Sequence, residues 1–206
     1  MQSLAIVFMV AQLFGPPKIS LLFNSIECVP RENEDETLIN GKVDFGGYGA
    51  FMTTFTELNN DFAVLVGGRG GLIINHFFVF GGGGYGLTNE IQVHTNNPPR
   101  NLLLDFGYGG VYLEFVLQSR KLVHLSLNAL IGAGGADYRT YYYDYLDDDA
   151  FFVAEPGAEL ELNITRHFRM AMGGSYRFVE GINMDGLADN VLSGPAGTLT
   201  FKFGEF

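Results

Sequence analysis

Three groups of residues in this 206-residue chain are of types and spacings that could do chemistry. The densest is Asp144-Tyr145-Leu146-Asp147-Asp148-Asp149, preceded by Tyr141-Tyr142-Tyr143. Carboxylates packed this closely suit a hard divalent cation, but the run lacks the Gly and position-twelve Glu of an EF-hand, and its plainer reading is a solvated acidic loop. A nucleophile and base would have to come from His94, Ser193 and one of the acids near them; the other histidines, His76, His124 and His167, lie at or near short turns. Nothing in the spacing selects such a triad. Gly81-Gly82-Gly83-Gly84-Tyr85-Gly86 formally satisfies G-x-G-x-x-G, yet no helix follows to hold a pyrophosphate, so close strand packing is the better account. The expectation is no catalysis and no cofactor.

A fourth set of polar residues is spread rather than clustered, and the elements that carry it decide its meaning. From Lys42 onward, β-rich runs alternate with turn residues at roughly 42–55, 61–74, 77–88, 102–117, 121–134, 151–164, 168–179 and 194–206. Within them one face is apolar and the other mixed. Val123, Leu125, Leu127, Ala129, Ile131 and Ala133 alternate with His124, Ser126, Asn128, Leu130 and Gly132, and Phe168, Met170, Met172, Tyr176 and Phe178 alternate with Arg169, Ala171, Gly173, Ser175 and Arg177. Facing is ambiguous over 61–88 and 102–110, where glycines permit bulges.

In a soluble sandwich the apolar faces would point inward. The connections argue otherwise. Asn75-His76, Gln118-Ser119-Arg120 and Thr165-Arg166-His167 are tight, and between them lie connections at about 56–60, 89–101, 135–150 and 180–193, the first of them short. Short turns at one end and longer loops at the other, with an even strand count, is the pattern of a membrane-spanning barrel. Charge sorts the same way. The loops and their flanks carry Glu57, Asp61, Glu90, Asp137, Asp144, Asp147, Asp148, Asp149, Glu180, Asp185 and Asp189 against Arg100 and Arg139, whereas the tight turns carry Arg120, Lys121 and Arg166 and no acid.

The fold class expected is therefore all-β, an eight-stranded antiparallel up-and-down transmembrane β-barrel over 42–206. Its mixed faces would fill the lumen with charge pairs among Arg69, Glu114, His124, Glu155, Glu159, Glu161, Arg169 and Arg177. Pairing Ile164 with Phe168 sets Asn163 against Arg169 and Glu155 against Arg177; pairing Phe115 with Val123 sets Glu114 against His124.

Composition agrees. Charged residues are 17% and apolar residues 47%, with Gly 28, Phe 19, Tyr 10 and no Trp, a profile of aromatic strands and closely packed backbones. The net charge of −11 argues against a nucleic-acid partner, and the lone Cys28 excludes an intramolecular disulfide framework. Leu4 to Phe14 is an apolar run of secretory length, too short to span as a helix, so 1–28 is expected to be a signal or leader region and 29–41 a polar acidic linker.

The segments GGYG (46–49), GGRGGLIINH (67–76), GGGGYGL (81–87) and LTFKFGEF (199–206) together resemble the small outer-membrane β-barrel proteins of Gram-negative bacteria, especially those of bacteroidetes, over about 42–206. The resemblance implies an exported barrel inserted by the barrel-assembly machinery, with Phe206 as part of the insertion signal. The expected role is structural or surface-interacting. The expected surroundings are outer-membrane lipid and lipopolysaccharide, the latter reached through a cation on Asp144, Asp147, Asp148 and Asp149, around a monomer. The rival expectations are a lipid-modifying barrel enzyme using His94, a soluble lipocalin-like carrier of an apolar ligand, and a small-solute channel.

Overall fold

The computed structural model describes residues 43–206 apart from 97–98, 140–144 and 185–186, without the side chains of 94–101 and 139–147. The expected leader at 1–28 and the expected linker at 29–41 fall outside the described residues. The chain divides into two units, Met1–Asn40 and Gly41–Phe206, and the described residues all belong to the second.

Nine strands form among the described residues: β1 (Phe45–Leu58), β2 (Asp61–Ile74), β3 (Phe78–Leu87), β4 (Gln92–Asn96), β5 (Pro99–Leu117), β6 (Val123–Arg139), β7 (Tyr145–Asn163), β8 (Phe168–Glu180) and β9 (Gly194–Glu205). Eight of them close into a barrel. Each pairs antiparallel with its neighbours in the chain, β3 bridges to β5, and β1 pairs with β9 to seal the ring. Closure leaves no exposed strand edge in the wall. The short β4 stands outside the ring, paired with the start of β5 alone.

The hairpins use residues that tolerate left-handed backbone. Asn59 and Asn60 (φ 52° and 64°) join β1 to β2, and Asn75 and His76 (φ 52° and 60°) follow β2. Two adjacent left-handed residues match the twist of the strands they connect.

Strand facing is inside-out relative to a soluble protein. Phe51, Phe80, Leu160, Met172 and Phe203 point outward and are each more than half exposed, while Arg69, Glu114, Glu161 and Arg177 point inward and are buried. So wide a belt of bare apolar side chains is stable only against hydrocarbon, and the chain spans a membrane through its strands. The faces Val123 to Ala133 and Phe168 to Phe178 lie on this outer surface, which overturns the lipocalin-like alternative, where they would line a cavity. The ambiguous segments are settled as well: odd positions face inward in β2 and β3, even positions in β5.

Several connections differ from expectation. Most of 135–150 is strand: the β6–β7 ladder runs up to Arg139 opposite Tyr145, with a register irregularity at Tyr138/Arg139. Gly, Ala and Asp have weak strand preferences, so composition hid an extension that the backbone ladder carries beyond the membrane. The 89–101 connection likewise contains β4. The 56–60 connection is short as expected, the two-residue Asn59-Asn60 turn. The β5–β6 register places Leu117 opposite Leu125, and Glu114 therefore faces Asn128 rather than His124. The turn there is four residues out of the expected register, because Ser119 to Leu122 stay unpaired between the strands.

Candidate functional site: the charged lumen

The inward faces of β2, β5, β6, β7, β8 and β9 bring their polar residues to one level of the barrel. Arg69 Nη2 donates to Glu159 Oε2 at 2.5 Å, and its guanidinium lies 4.5 Å over the Tyr112 ring. Lys202 Nζ reaches Glu114 Oε1 and Glu161 Oε1, both at 2.5 Å, with Glu159 Oε2 3.9 Å away. His124 Nε2 is 3.3 Å and Arg169 Nη1 3.6 Å from Glu161 Oε2. Hydroxyls complete the shell: Tyr48 donates to Glu114 at 2.8 Å and Thr200 to Glu159 at 3.2 Å.

Charge balances across this level. Glu114, Glu155, Glu159 and Glu161 face Arg69, Arg169, Arg177 and Lys202, so the lumen carries no net charge when His124 is neutral. Buried ions persist when they are paired, and each carboxylate of this ring has a cation or a hydroxyl beside it, although Arg69 Nε, His124 Nε2 and Glu161 Oε2 have no hydrogen bond among the described residues. The carboxylates of Glu114, Glu159 and Glu161 converge to within 4.8 Å of one another, as metal ligands would, but the Lys202 ammonium already stands among them. The lumen beside Arg69 and Glu155 has room for about one water. The ring fills the barrel cross-section at this level.

The loop-side half is closed by apolar side chains. Leu65, Leu104, Tyr138, Phe151 and Val153 pack there with Leu187 and Leu192 of the 181–193 connection, which folds inward through the helical turn α1 (Asp189–Leu192). Arg177 Nε donates to the Leu192 carbonyl at 2.7 Å, and its guanidinium lies 5.3 Å from the Phe106 ring. Glu155, its neighbour in register, turns instead to the hydroxyls of Tyr108 and Ser175, each at 2.5 Å. The β7–β8 register is the expected one, with Asn163 opposite Arg169 and Ala154 opposite Phe178; its ladder is interrupted at Pro156, which has no N–H to give.

All eight residues expected in the lumen are buried there; Arg69 and Lys202 find their carboxylates across the ring, whereas His124 and Arg169 meet Glu161 from the two adjacent strands. Lys202, Tyr48 and Tyr108 were not singled out from the sequence. For Lys202 the signal was available: it lies out of phase with Leu199, Phe201 and Phe203, on the inward side of β9.

The acidic run is in part strand. Asp147, Asp148 and Asp149 belong to β7, and Asp144 lies outside the described residues. The pleat sends neighbouring side chains to opposite faces, so Asp148 and Asp149 do not converge. Asp149 accepts from the Asn183 N–H at 2.7 Å, tying the hairpin to the 181–193 connection. Asp148 faces outward opposite Asp137, which stands opposite Asp105. Burial, then Asp148 and Asp105, push the Asp137 carboxyl above the ordinary aspartate range.

Ser193 Oγ donates to the Asp189 carbonyl at 2.8 Å and accepts from the Val179 N–H at 2.9 Å, so it serves as a loop tether. The side chain of His94 is outside the described residues. Phe206, expected as an insertion signal, turns inward, stacking on Tyr48 at 5.9 Å and under Arg169 at 3.9 Å, while Phe203 faces the lipid.

No family model matches this chain, and no curated protein matches it. Solved structures do. Neisserial surface protein A aligns with a TM-score of 0.53 at 11% identity, over 80% of this chain and 99% of its own. The attachment invasion locus protein Ail of Yersinia pestis, in complex with the heparin analogue sucrose octasulfate, aligns at 0.42 and 14% identity over 78% and 95%. The outer membrane protein OprG from Pseudomonas aeruginosa aligns at 0.42 and 9% identity over 78% and 93%. The likeness to the neisserial protein establishes a shared eight-stranded barrel fold, the fold of outer-membrane proteins.

Proposed function

We propose that this protein is an outer-membrane barrel with a structural or surface-interacting role, inserted as a monomer, non-catalytic and closed to solutes. The observation that supports this most is the lumen: a neutralised ring of ions on Lys202 and Arg69, backed on the loop side by an apolar plug. A channel needs a continuous wet path, and a lipid-modifying enzyme needs a free nucleophile beside a base; Ser193 is engaged with backbone. Function then falls to the outer surfaces.

On the loop side, the outward row Asp105, Asp137 and Asp148 is the face toward lipopolysaccharide, with a divalent cation neutralising the carboxylates against its phosphates. On the opposite side the barrel-assembly machinery reads the last strand, where Phe201 and Phe203 face the lipid.

Fractionation after expression in a Gram-negative host, a comparison of boiled and unboiled gel mobility, and planar-bilayer recording test it together. The expected result is an outer-membrane protein with a heat-modifiable band and no conductance steps. Steady ion conductance would overturn the closed lumen, a soluble protein would overturn the placement, and turnover of labelled lipid lost in His94→Ala would restore the enzyme.

A further inference from the structure

The turn-side mouth of the barrel opens on a cavity of about 550 Å³, the size of a small-ligand site. Three separate turns build its wall. His76 follows β2, Arg120 lies between β5 and β6, Arg166 and His167 lie between β7 and β8, and Arg169 sits deeper, at the start of β8. Among the described residues, Glu205 lines the cavity, and Asp44 nearby is held by His76 Nε2 at 3.0 Å.

The wall is set in place before any ligand arrives. Asn163 Nδ2 donates to the carbonyls of Ser119 at 3.0 Å and Lys121 at 2.7 Å, clamping the β5–β6 turn to the end of β7. Thr165 Oγ1 accepts from the His167 N–H at 3.2 Å, and Asn75 Oδ1 accepts from the Asp44 N–H at 3.0 Å. Arg169 differs from the other lumen cations. Its side chain is a tenth exposed, its guanidinium stacks on Phe206, and its carboxylate neighbour, Glu161 Oε2 at 3.6 Å, is beyond hydrogen-bond reach and shared with His124. A buried fork of donors thus lines the cavity, and among the described residues none of its donors has a hydrogen-bond acceptor.

We infer that this vestibule binds a phosphate-bearing anion, its phosphate seated on Arg169 and closed from the rim by Arg120 and Arg166. Planar guanidinium forks match phosphate oxygens, and preorganised turns lower the ordering cost of binding. Because the lumen above is filled, the anion enters and leaves by one mouth and is held rather than conducted. The inference rests on the outer-membrane reading, in which this end faces the phospholipid leaflet. A phospholipid headgroup is therefore the favoured source of the phosphate, and the half-exposed Ile164 on the rim adjoins the apolar belt where its chains would lie.

The test uses the full chain folded in a maltoside detergent, which contains no phosphate, titrated at constant ionic strength with inorganic phosphate or with dihexanoylphosphatidylglycerol below its micelle concentration. Calorimetry and amide NMR should show saturable binding, with shifts at His76, Arg120 and Arg166 to Arg169. Tighter binding of the lipid by about tenfold assigns the headgroup source, whereas equal binding assigns a free phosphate. Arg169→Gln, and separately the exposed pair Arg120→Gln/Arg166→Gln, should each weaken binding by about tenfold or more, and Glu57→Gln at the far end should leave it unchanged. A non-saturating response, or one unaltered in the double variant, overturns the proposal. Failure of the barrel reading would appear separately, as loss of the heat-modifiable band in the unliganded protein.

Discussion

The Nε of Arg177 donates to the backbone carbonyl of Leu192 at 2.7 Å, so a lumen cation anchors the loop that plugs the barrel. The guanidinium also reaches Thr56 Oγ1 at 3.4 Å and is fully buried. Arg177→Met keeps much of the bulk and removes the donors. It should cost about 1.5–3 kcal/mol of stability and free the 181–193 connection, read as a lower unfolding temperature of the heat-modifiable band and new protease cleavage within that segment. An unchanged cleavage pattern would show that apolar packing alone holds the plug.

Lys202 is the hub of the ion ring. Lys202→Met leaves Glu114 and Glu161 buried without their ammonium and should destabilise the barrel by about 3–5 kcal/mol, measured by urea unfolding in detergent. Adding Glu114→Gln and Glu161→Gln should recover part of that loss, because uncharged partners no longer need a counterion. If the triple variant is as unstable as the single one, packing rather than charge explains the effect.

Glycines in the wall are not equivalent. A Cβ at Gly132 would run into the Gly109 carbonyl oxygen and the Gly110 Cα, whereas a Cβ at Gly86 would meet nothing within 4 Å. Gly132→Ala should therefore cost about 1–3 kcal/mol by forcing β5 and β6 apart. Gly86→Ala should be neutral or stabilise by about 0.5–1 kcal/mol, since alanine restricts the unfolded chain more. Equal unfolding midpoints for the two variants would contradict this geometry.

Asp137 sits near the outer end of β6, beyond the apolar belt, with Asp148 and Asp105 on either side. Burial and these two like charges raise its carboxyl above the ordinary aspartate range. A raised folded-state value means that the folded protein keeps this proton after the unfolded chain has lost it. The group's contribution to stability therefore falls as pH rises through the window just above the usual aspartate value. Carboxyl carbon NMR should show Asp137 titrating late, and Asp148→Asn should bring it down. A normal titration in the parent protein would mean that solvent screens the row.

The alternating apolar and mixed faces were enough, in the sequence alone, to give approximate positions for the eight barrel strands, their up-and-down order and the charged residues inside apart from Lys202. Period-two side-chain placement is local, so composition along one strand reveals it. The β7–β8 register was legible because the Thr165 to His167 turn is short and both flanking faces are strongly patterned. The β5–β6 register was not, since its turn holds more residues than the pattern reveals and a slip by an even number preserves facing. Tertiary structure alone decided which ions meet across the ring. Lys202 in the last barrel strand finds Glu114 on β5 and Glu161 on β7, partners set by curvature around a closed ring rather than by adjacency. It also decided that Glu155 and Arg177, opposite in register, bond to hydroxyls and to a loop carbonyl respectively. Strand alternation specifies the side of the wall, and only closure of the barrel brings distant inward faces within bonding distance.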